Sequence, residues 1–136
     1  MWVLHQAPGT GTAFDQNSGY VKLLDELEPQ PEDTRILKTS HNAFTATNLA
    51  QQLQQRGITK LRICGIRTEQ CVETTTCLAS DMGFEVELII DATATHPLPL
   101  ANGTGFVPAE QVIERTAAAL SGRFATITTV NNVLLQ

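Results

Sequence analysis

The chain has 136 residues, of which 42% are hydrophobic and 17% charged, and its formal net charge is -5. This length and balance are typical of one globular domain with its own core. No basic run occurs, and no basic face carries an aromatic platform, which argues against a nucleic-acid partner. No apolar stretch reaches transmembrane length and no signal-peptide pattern is found, so the sequence predicts a cytoplasmic protein without a membrane partner.

Three cysteines, Cys64, Cys71 and Cys77, give an odd number with no disulfide-like framework, which fits a reducing compartment. No Cys-x-x-Cys occurs, and no cysteine and histidine cluster has zinc spacing. We therefore predict neither a metal nor a cofactor.

Strand and helix patterns alternate along the chain. Strands are predicted at 1–5, 34–38, 61–66, 84–90 and 124–129. Helices are predicted at 46–56 and 69–82, and from Pro108 to Gly122, with a single helical turn between Tyr20 and Leu27. Residues 92–107 read as a long loop. The alternation predicts an α/β fold, with a parallel sheet covered by helices.

Two of these helices have predicted buried faces. Thr68 is the expected N-cap of the second helix and Gly83 its stop. The buried face of that helix is predicted to carry Val72, Ala79 and Met82, and that of the last helix Ile113, Thr116, Ala117 and Leu120.

Right-handed crossovers place the carboxyl ends of parallel strands at one edge of the sheet, where ligands bind in open α/β folds. The candidate functional residues are therefore those that follow each strand. They are His5, Lys38 with Thr39, the segment 67–71 and the segment 91–95.

Cys71 lies in the first turn of a helix that opens directly after a strand ending in Gly65-Ile66. The unpaired N–H groups and the positive dipole end of such a turn favour a thiolate and hold a developing oxyanion. Acyl transfer from an amide or ester requires both. The alternative is that Cys71 is a small buried hydrophobe, as cysteines outside disulfides often are.

Gly-Ile-x-Thr-x-x-Cys-Val-Glu, from Gly65 to Glu73, resembles the nucleophile motif of isochorismatase-like cysteine hydrolases. Leu37-Lys38-Thr39 and the Ala43-Phe44 that follows resemble the lysine strand of that family. Asp91-Ala92-Thr93-Ala94 resembles its Asp-Ala-x-Ala segment. The three motifs occur in the family's order, and the resemblance covers nearly the whole chain.

The resemblance implies a three-layer α/β/α Rossmann-like fold, with a mostly parallel sheet of about five strands and helices on both faces. The family has six strands. It also implies that residues 1–136 are one hydrolase domain that is incomplete at its N-terminus.

By the same resemblance, Cys71 would be the nucleophile and Lys38 would stabilise its thiolate. The backbone N–H groups of Arg67 and Cys71 would form the oxyanion hole, and the peptide bond between Ile66 and Arg67 would be cis. Otherwise, Lys38 is an exposed residue at a strand end. Cys64 and Cys77 are expected to be packing residues.

Three residues are predicted to line the substrate pocket: Asn42, Phe44 and Thr68. For Phe44, a place in the core is an equal alternative.

The third catalytic group of the family is an aspartate at the end of its first strand, whereas this chain opens on a segment that resembles the second strand. Three explanations are open: the sequence is a fragment, it is a natural short homologue of weak or no activity, or another carboxylate substitutes. Asp91 is the best substitute, and the alternative is that it caps the turn that follows. Asp15 is a weaker candidate.

The sequence therefore predicts a cysteine hydrolase that acts on a small amide or carbamoyl substrate through a covalent thioester. The resemblance implies a homo-oligomer, a dimer or tetramer. An alternative is a catalytically weak or inactive homologue that binds a ligand or partner. A third reading, a redox thiol, needs a resolving cysteine, and Cys77 would face away from Cys71 on a helix.

Overall fold

The computed structural model describes residues 1–135. The chain forms two compact units, one from Met1 to Gln52 and one that starts at Leu53. Each unit is built on a parallel sheet, and helix α1, Leu49–Gln55, crosses the boundary between them along the chain. No helix among residues 1–135 has both the length and the apolar character needed to cross a membrane.

The first unit contains strands β1, Trp2–His5, and β2, Arg35–Lys38, which pair in parallel with Trp2 opposite Arg35 and His5 opposite Lys38. Side chains alternate along β2, as they must in a strand. Ile36 and Lys38 are buried while the residues between them face solvent. The strand therefore ends on a buried lysine.

The segment that joins β1 to β2 forms turns. The helical turn predicted between Tyr20 and Leu27 is absent, and Lys22 N–H instead donates to the carbonyl of Tyr20. An isolated turn of helix fixes many dihedral angles for few hydrogen bonds, so it does not persist without packing. Tyr20 is 74% exposed and receives no such packing.

The second unit contains strands β3, Lys60–Ile66, β4, Glu85–Ala94, and β7, Thr126–Thr128, which pair in parallel in the order β3-β4-β7. After the exposed Glu85, its central strand β4 has three consecutive buried residues, Val86, Glu87 and Leu88, and such a run is typical of a strand covered on both faces. Two short strands, β5, Leu98–Pro99, and β6, Phe106–Val107, form an antiparallel pair within the predicted loop.

Three helices and one π-helical turn complete this unit. The turn, Thr68–Val72, leads directly into α2, Glu73–Asp81. Helix α3 is Ala109–Leu120, and α4 is Val130–Leu134. The buried residues of α3 recur every four positions, at Val112, Thr116 and Leu120, so one stripe of the helix packs on the core.

The predicted α/β class is correct, and five parallel strands occur close to their predicted places. They are divided between two sheets, of two and three strands, because no ladder joins the pair β1-β2 to the set β3-β4-β7 among residues 1–135. On α2 the expected apolar face is only partly right, since Ala79 is buried but Met82 is 44% exposed. The prediction of a single domain stays a prediction.

Candidate active site

Strand β3 ends in an irregular segment that sets the direction of the following turn. Its register with β4 shifts between Ile63 and Gly65. Gly65 has a φ of +127°, a backbone conformation that residues other than glycine rarely adopt. The next peptide bond, Ile66–Arg67, is cis, the isomer that the resemblance implied. The strand ends at Ile66, and the π-helical turn begins two residues later, at Thr68.

Cys71 is the fourth residue of the π-helical turn and is half-buried. It is a reduced thiol, as are Cys64 and Cys77. Turns of this kind are rare and occur often at functional sites. Cys64 is exposed on β3, so its prediction as a packing residue is wrong. Cys77 is half-buried, and its burial, followed by the charges of Glu73 and Asp81, raises the pKa of its thiol.

Thr68 fastens the π-helical turn to strand β4. Its side chain has no solvent exposure, and its hydroxyl donates to the hydroxyl of Thr93 at 3.0 Å. Thr93 in turn donates to the carbonyl of Ile90 at 2.9 Å. Thr68 is therefore not the N-cap that was predicted, because Arg67 holds that position and makes no side-chain cap. Its place in a substrate pocket stays a prediction.

Charged side chains surround the start of the turn. The Nε atom of Arg67 lies 3.3 Å from a carboxylate oxygen of Glu69, and its guanidinium contacts Nε2 of His96. The Nδ1 atom of His96 lies 2.9 Å from the carbonyl of Pro97. That carbonyl only accepts, so the contact at Nδ1 is a hydrogen bond when the proton is on that nitrogen.

In the first unit, Lys38 ends β2 with its side chain buried; the residue is 4% exposed. Its ammonium donates to the carbonyls of Ser40 at 2.8 Å and His41 at 2.9 Å, and lies 3.4 Å from Nδ1 of His5. The alternative of an exposed strand-end lysine is therefore wrong. A buried ammonium persists where acceptors of this kind replace water.

The loop after Lys38 is held in shape by Asn42. Its side-chain oxygen accepts from the backbone N–H groups of Phe44 at 2.9 Å and Thr45 at 2.8 Å. The hydroxyl oxygen of Ser40 lies 2.9 Å from the carbonyl oxygens of both Asn42 and Thr45, and its single proton donates to one of them at a time. These bonds order the loop that also supplies the carbonyls of Ser40 and His41 to Lys38. Phe44 is 8% exposed, in line with the core alternative, and the pocket roles of Asn42 and Phe44 stay predictions.

The two candidate substitute carboxylates both accept hydrogen bonds from the backbone. Asp91 is exposed and accepts from Val130 N–H at 2.9 Å, at the start of α4. Asp15 accepts from Gly11 and Asn17, both at 3.0 Å, and these N–H groups lower the pKa of its carboxyl. In the described part of the chain, no group of three or more histidine, cysteine, aspartate or glutamate side chains is suited to a metal ion.

Each unit also has an open cleft that contains no predicted site residue. The cleft of the first unit, about 340 Å³, is lined by apolar residues between Leu4 and Pro29 together with the charged residues Lys22, Asp25 and Arg35. The cleft of the second, about 240 Å³, lies between the segments 84–86 and 122–126.

Within each unit the structure brings several of the candidate residues together. His5 lies beside Lys38 in the first unit, and Arg67, Thr68 and Cys71 share one turn in the second. The contacts of Glu69 and His96 with Arg67 were not predicted. For His96 a signal exists, because it follows β4 at the carboxyl end of that strand, as the segment 67–71 follows β3.

Residues 2–131 match the isochorismatase domain family. An uncharacterised isochorismatase-family protein of Bacillus subtilis strain 168 is 32% identical over 121 residues, which cover 89% of this chain and 66% of that protein. A crystal structure of an isochorismatase-family protein from Chromobacterium violaceum superposes with a TM-score of 0.92 at 26% identity, covering 98% of this chain and 68% of that one. The chain belongs to the isochorismatase-like hydrolase superfamily.

Several relatives have names that state a hydrolase activity, among them a streptothricin hydrolase of Streptomyces noursei and a ureidoacrylate amidohydrolase. The ureidoacrylate amidohydrolase of Agrobacterium fabrum strain C58 is 38% identical over 71 residues, which cover 52% of this chain and 31% of that enzyme. The chain thus spans about two thirds of its uncharacterised relative and under a third of this amidohydrolase.

Proposed function

We propose that this chain carries the nucleophile and the lysine of a cysteine hydrolase that cleaves the C–N bond of a small amide or carbamoyl compound. The observation that carries the proposal is the reduced, half-buried Cys71 on a π-helical turn directly after strand β3. Support comes from the family and from a relative named as an amidohydrolase. The reaction needs no cofactor.

The proposed first half-reaction forms a thioester. The Sγ of Cys71, as a thiolate stabilised by Lys38, attacks the substrate carbonyl carbon. Negative charge moves to the carbonyl oxygen, which accepts from the backbone N–H groups of Arg67 and Cys71. The C–N bond then breaks and the leaving nitrogen takes a proton. Water attacks the thioester in the second half-reaction, which releases the acid and the Cys71 thiol.

The leaving nitrogen needs a proton donor. The resemblance assigns this role to an aspartate on a strand that has no counterpart in residues 1–136. Among carboxylates of this chain, Asp91 follows the buried start of β4 at the predicted ligand edge and is the proposed substitute. Its bond to Val130 gives it a structural role in addition, and a variant pair described below separates the two roles.

The test is to look for the acyl-enzyme. The protein is mixed with a panel of ureido acids, N-carbamoyl compounds and primary amides, quenched in acid within seconds, and its intact mass is measured. We expect an acyl adduct with at least one compound, located on Cys71 by peptide mapping and absent from Cys71→Ala. An adduct that persists in Cys71→Ala, or a panel that yields product with no dependence on Cys71, would contradict the proposal.

A second candidate is a non-catalytic homologue that binds a ligand or partner. The observation that favours it is that the carboxylates of Asp15 and Asp91 both serve as backbone acceptors. This candidate predicts that panel compounds protect Cys71 from alkylation without ever being turned over. Either form of the protein is proposed to be a cytoplasmic homo-oligomer, a dimer or tetramer, which analytical ultracentrifugation tests.

A further inference from the structure

His5 and Lys38 end neighbouring parallel strands directly opposite each other. The ladder continues one residue past them, since Gln6 N–H donates to the carbonyl of Lys38 at 2.8 Å. The imidazole of His5 packs edge-on against the ring of Phe14, with centroids 5.3 Å apart and planes at 78°. Both the backbone and the ring of His5 are therefore held in place beside the lysine.

The acceptors near the ammonium of Lys38 include two backbone carbonyls, which do not titrate, and one imidazole nitrogen, which does. The carbonyls of Ser40 and His41 accept at every pH. The Nδ1 atom of His5, 3.4 Å away, accepts only when the ring is neutral and its proton is on Nε2. A second proton on this imidazole removes the acceptor and places a positive charge against the ammonium.

We propose that His5 is a positioning residue for Lys38. The neutral imidazole accepts a hydrogen bond at Nδ1 and so fixes the position of the ammonium, and protonation of the ring removes this hydrogen bond. The inference rests on the proposed function, because Lys38 is the group proposed to stabilise the Cys71 thiolate. It concerns an alignment within the first unit and does not make His5 a catalytic residue.

The groups around His5 favour its neutral form. Burial first, and the charge of Lys38 second, lower the pKa of His5 below its ordinary 6.5. His41, in the loop after β2, acts in the same direction, and the carbonyl of Ser40 opposes it. None of the groups that act on the ring is a carboxylate. The ring is therefore neutral at pH 7 and gains its second proton only in more acidic solution.

The direct test follows Lys38 itself. The chain has three lysines, so the Cε signals of ¹³C-lysine-labelled protein are assigned with Lys38→Arg, and Lys22 and Lys60 are internal controls. We expect the Lys38 signal to shift between pH 7 and 5 with the same midpoint as the His5 imidazole. In His5→Asn, whose side-chain oxygen accepts but does not titrate, the Lys38 signal stays constant over that range.

The functional test measures alkylation of Cys71. We expect His5→Leu, which lacks an acceptor, to slow alkylation at pH 7 about fivefold, the effect of one hydrogen bond of ordinary strength. His5→Asn retains the wild-type rate at pH 7 and loses the acid-side inflection. Circular dichroism checks that both variants fold. The pH dependence of the Lys38 Cε signal is measured on the wild-type protein, so it tests the inference even if a His5 variant does not fold.

The outcomes separate this inference from the proposed function. If the Lys38 Cε signal of the wild-type protein does not shift as His5 titrates, the inference is wrong, regardless of the alkylation rate of Cys71. A Lys38 signal that follows His5, combined with alkylation of Cys71 that is equal in wild type and Lys38→Met, leaves the alignment standing and contradicts the role of Lys38 in the proposed function.

Discussion

The buried hydroxyl of Thr68 joins the turn that carries Cys71 to strand β4 through Thr93. The two ends of this bond are not equivalent. Thr68→Val leaves Thr93 still bonded to the carbonyl of Ile90, whereas Thr93→Val leaves a fully buried donor without its acceptor. Leaving a buried polar group unpaired costs more than losing one hydrogen bond.

We therefore expect Thr93→Val to lower the free energy of unfolding by about 1–3 kcal/mol and Thr68→Val by about 1 kcal/mol. Urea unfolding measures both, and the double variant gives their coupling. Equal costs, or a coupling near zero, would show that the two hydroxyls act independently.

Thr68 also shows where reasoning from sequence stops at the scale of a residue. A threonine before a helix predicts an N-cap. Here its hydroxyl instead reaches Thr93, 25 positions along the chain, and that contact is a product of tertiary packing. The buried environment of Lys38 was hidden for the same reason, since two of its acceptors are backbone carbonyls, which every residue carries.

Helices α2 and α3 are tied together by Glu73. Its carboxylate accepts from Arg115 at 2.7 Å and from the hydroxyl of Thr116 at 3.0 Å. Arg115 is 64% exposed at its side chain, so that ion pair contributes little to stability. Thr116 has no solvent exposure, so its hydroxyl depends on the Glu73 oxygen.

This contrast predicts how three variants rank by their loss in the free energy of unfolding. Glu73→Leu, which leaves the Thr116 hydroxyl unpaired, lowers the free energy of unfolding by about 1–3 kcal/mol. Glu73→Gln keeps an oxygen acceptor, and Arg115→Ala removes only the exposed partner, so each costs less than about 1 kcal/mol. Denaturant unfolding at low and high salt distinguishes them. A larger loss for Arg115→Ala than for Glu73→Leu would place the stability in the ion pair.

The backbone N–H of Val130, the first residue of the short helix α4, donates to the carboxylate of Asp91. An Asp91→Asn variant keeps the acceptor for Val130 N–H and loses the acid, while Asp91→Ala loses both. We expect Asp91→Ala to destabilise the protein by about 0.5–2 kcal/mol and Asp91→Asn by much less. If Asp91 is also the proton donor, Asn and Ala lower turnover equally. If instead turnover falls in Asp91→Ala but not in Asp91→Asn, in parallel with stability, Asp91 acts only as a cap.

Helices and strands with a strong periodicity of apolar residues could be predicted from the sequence, and those with a weak periodicity could not. Helix α3 lies where apolar patterning placed it, and strand β4 starts within one residue of its predicted start, although it extends to Ala94, beyond its predicted end at residue 90. Helix α4 has only five residues, and its start depends on Asp91 and on the side chain of Thr129, which accepts from Asn132 N–H. So short an element has no periodicity to read.

For the whole molecule, stability should depend on acidity in two stages. Folding lowers the pKa of His5 below its ordinary 6.5. The contribution of His5 to the free energy of unfolding is therefore complete above pH 6.5 and is lost as the pH falls through the lower pKa of the folded state. Hydrogen bonds lower the pKa of the carboxyls of Asp15, Asp33 and Glu87 below 3.8, 3.8 and 4.5 respectively. Their contribution is complete above those values and is lost in stronger acid.

Urea unfolding measured from pH 8 to pH 3 checks these stages. We expect a plateau above pH 6.5, a first decline below it and a second decline below about pH 4. In His5→Asn the first decline disappears and the second remains. A first decline that survives this substitution would have to come from a group other than His5.

The architecture of the whole molecule could be predicted only in part. Alternating strands and helices were enough for the α/β class, since any parallel strand needs a crossover. Patterning says nothing about which strand pairs with which, so the division into the sheets β1-β2 and β3-β4-β7 came only from the structure.

The most direct test of the proposed nucleophile is the rate at which iodoacetamide alkylates each cysteine at pH 6, followed by peptide mapping. The chain supplies its own controls, because Cys64 is exposed and burial raises the pKa of the Cys77 thiol. We predict that Cys71 reacts at least about tenfold faster than Cys64, that Cys77 is slowest, and that Lys38→Met removes the advantage of Cys71. Alkylation of Cys71 at or below the rate of Cys64 would contradict the account.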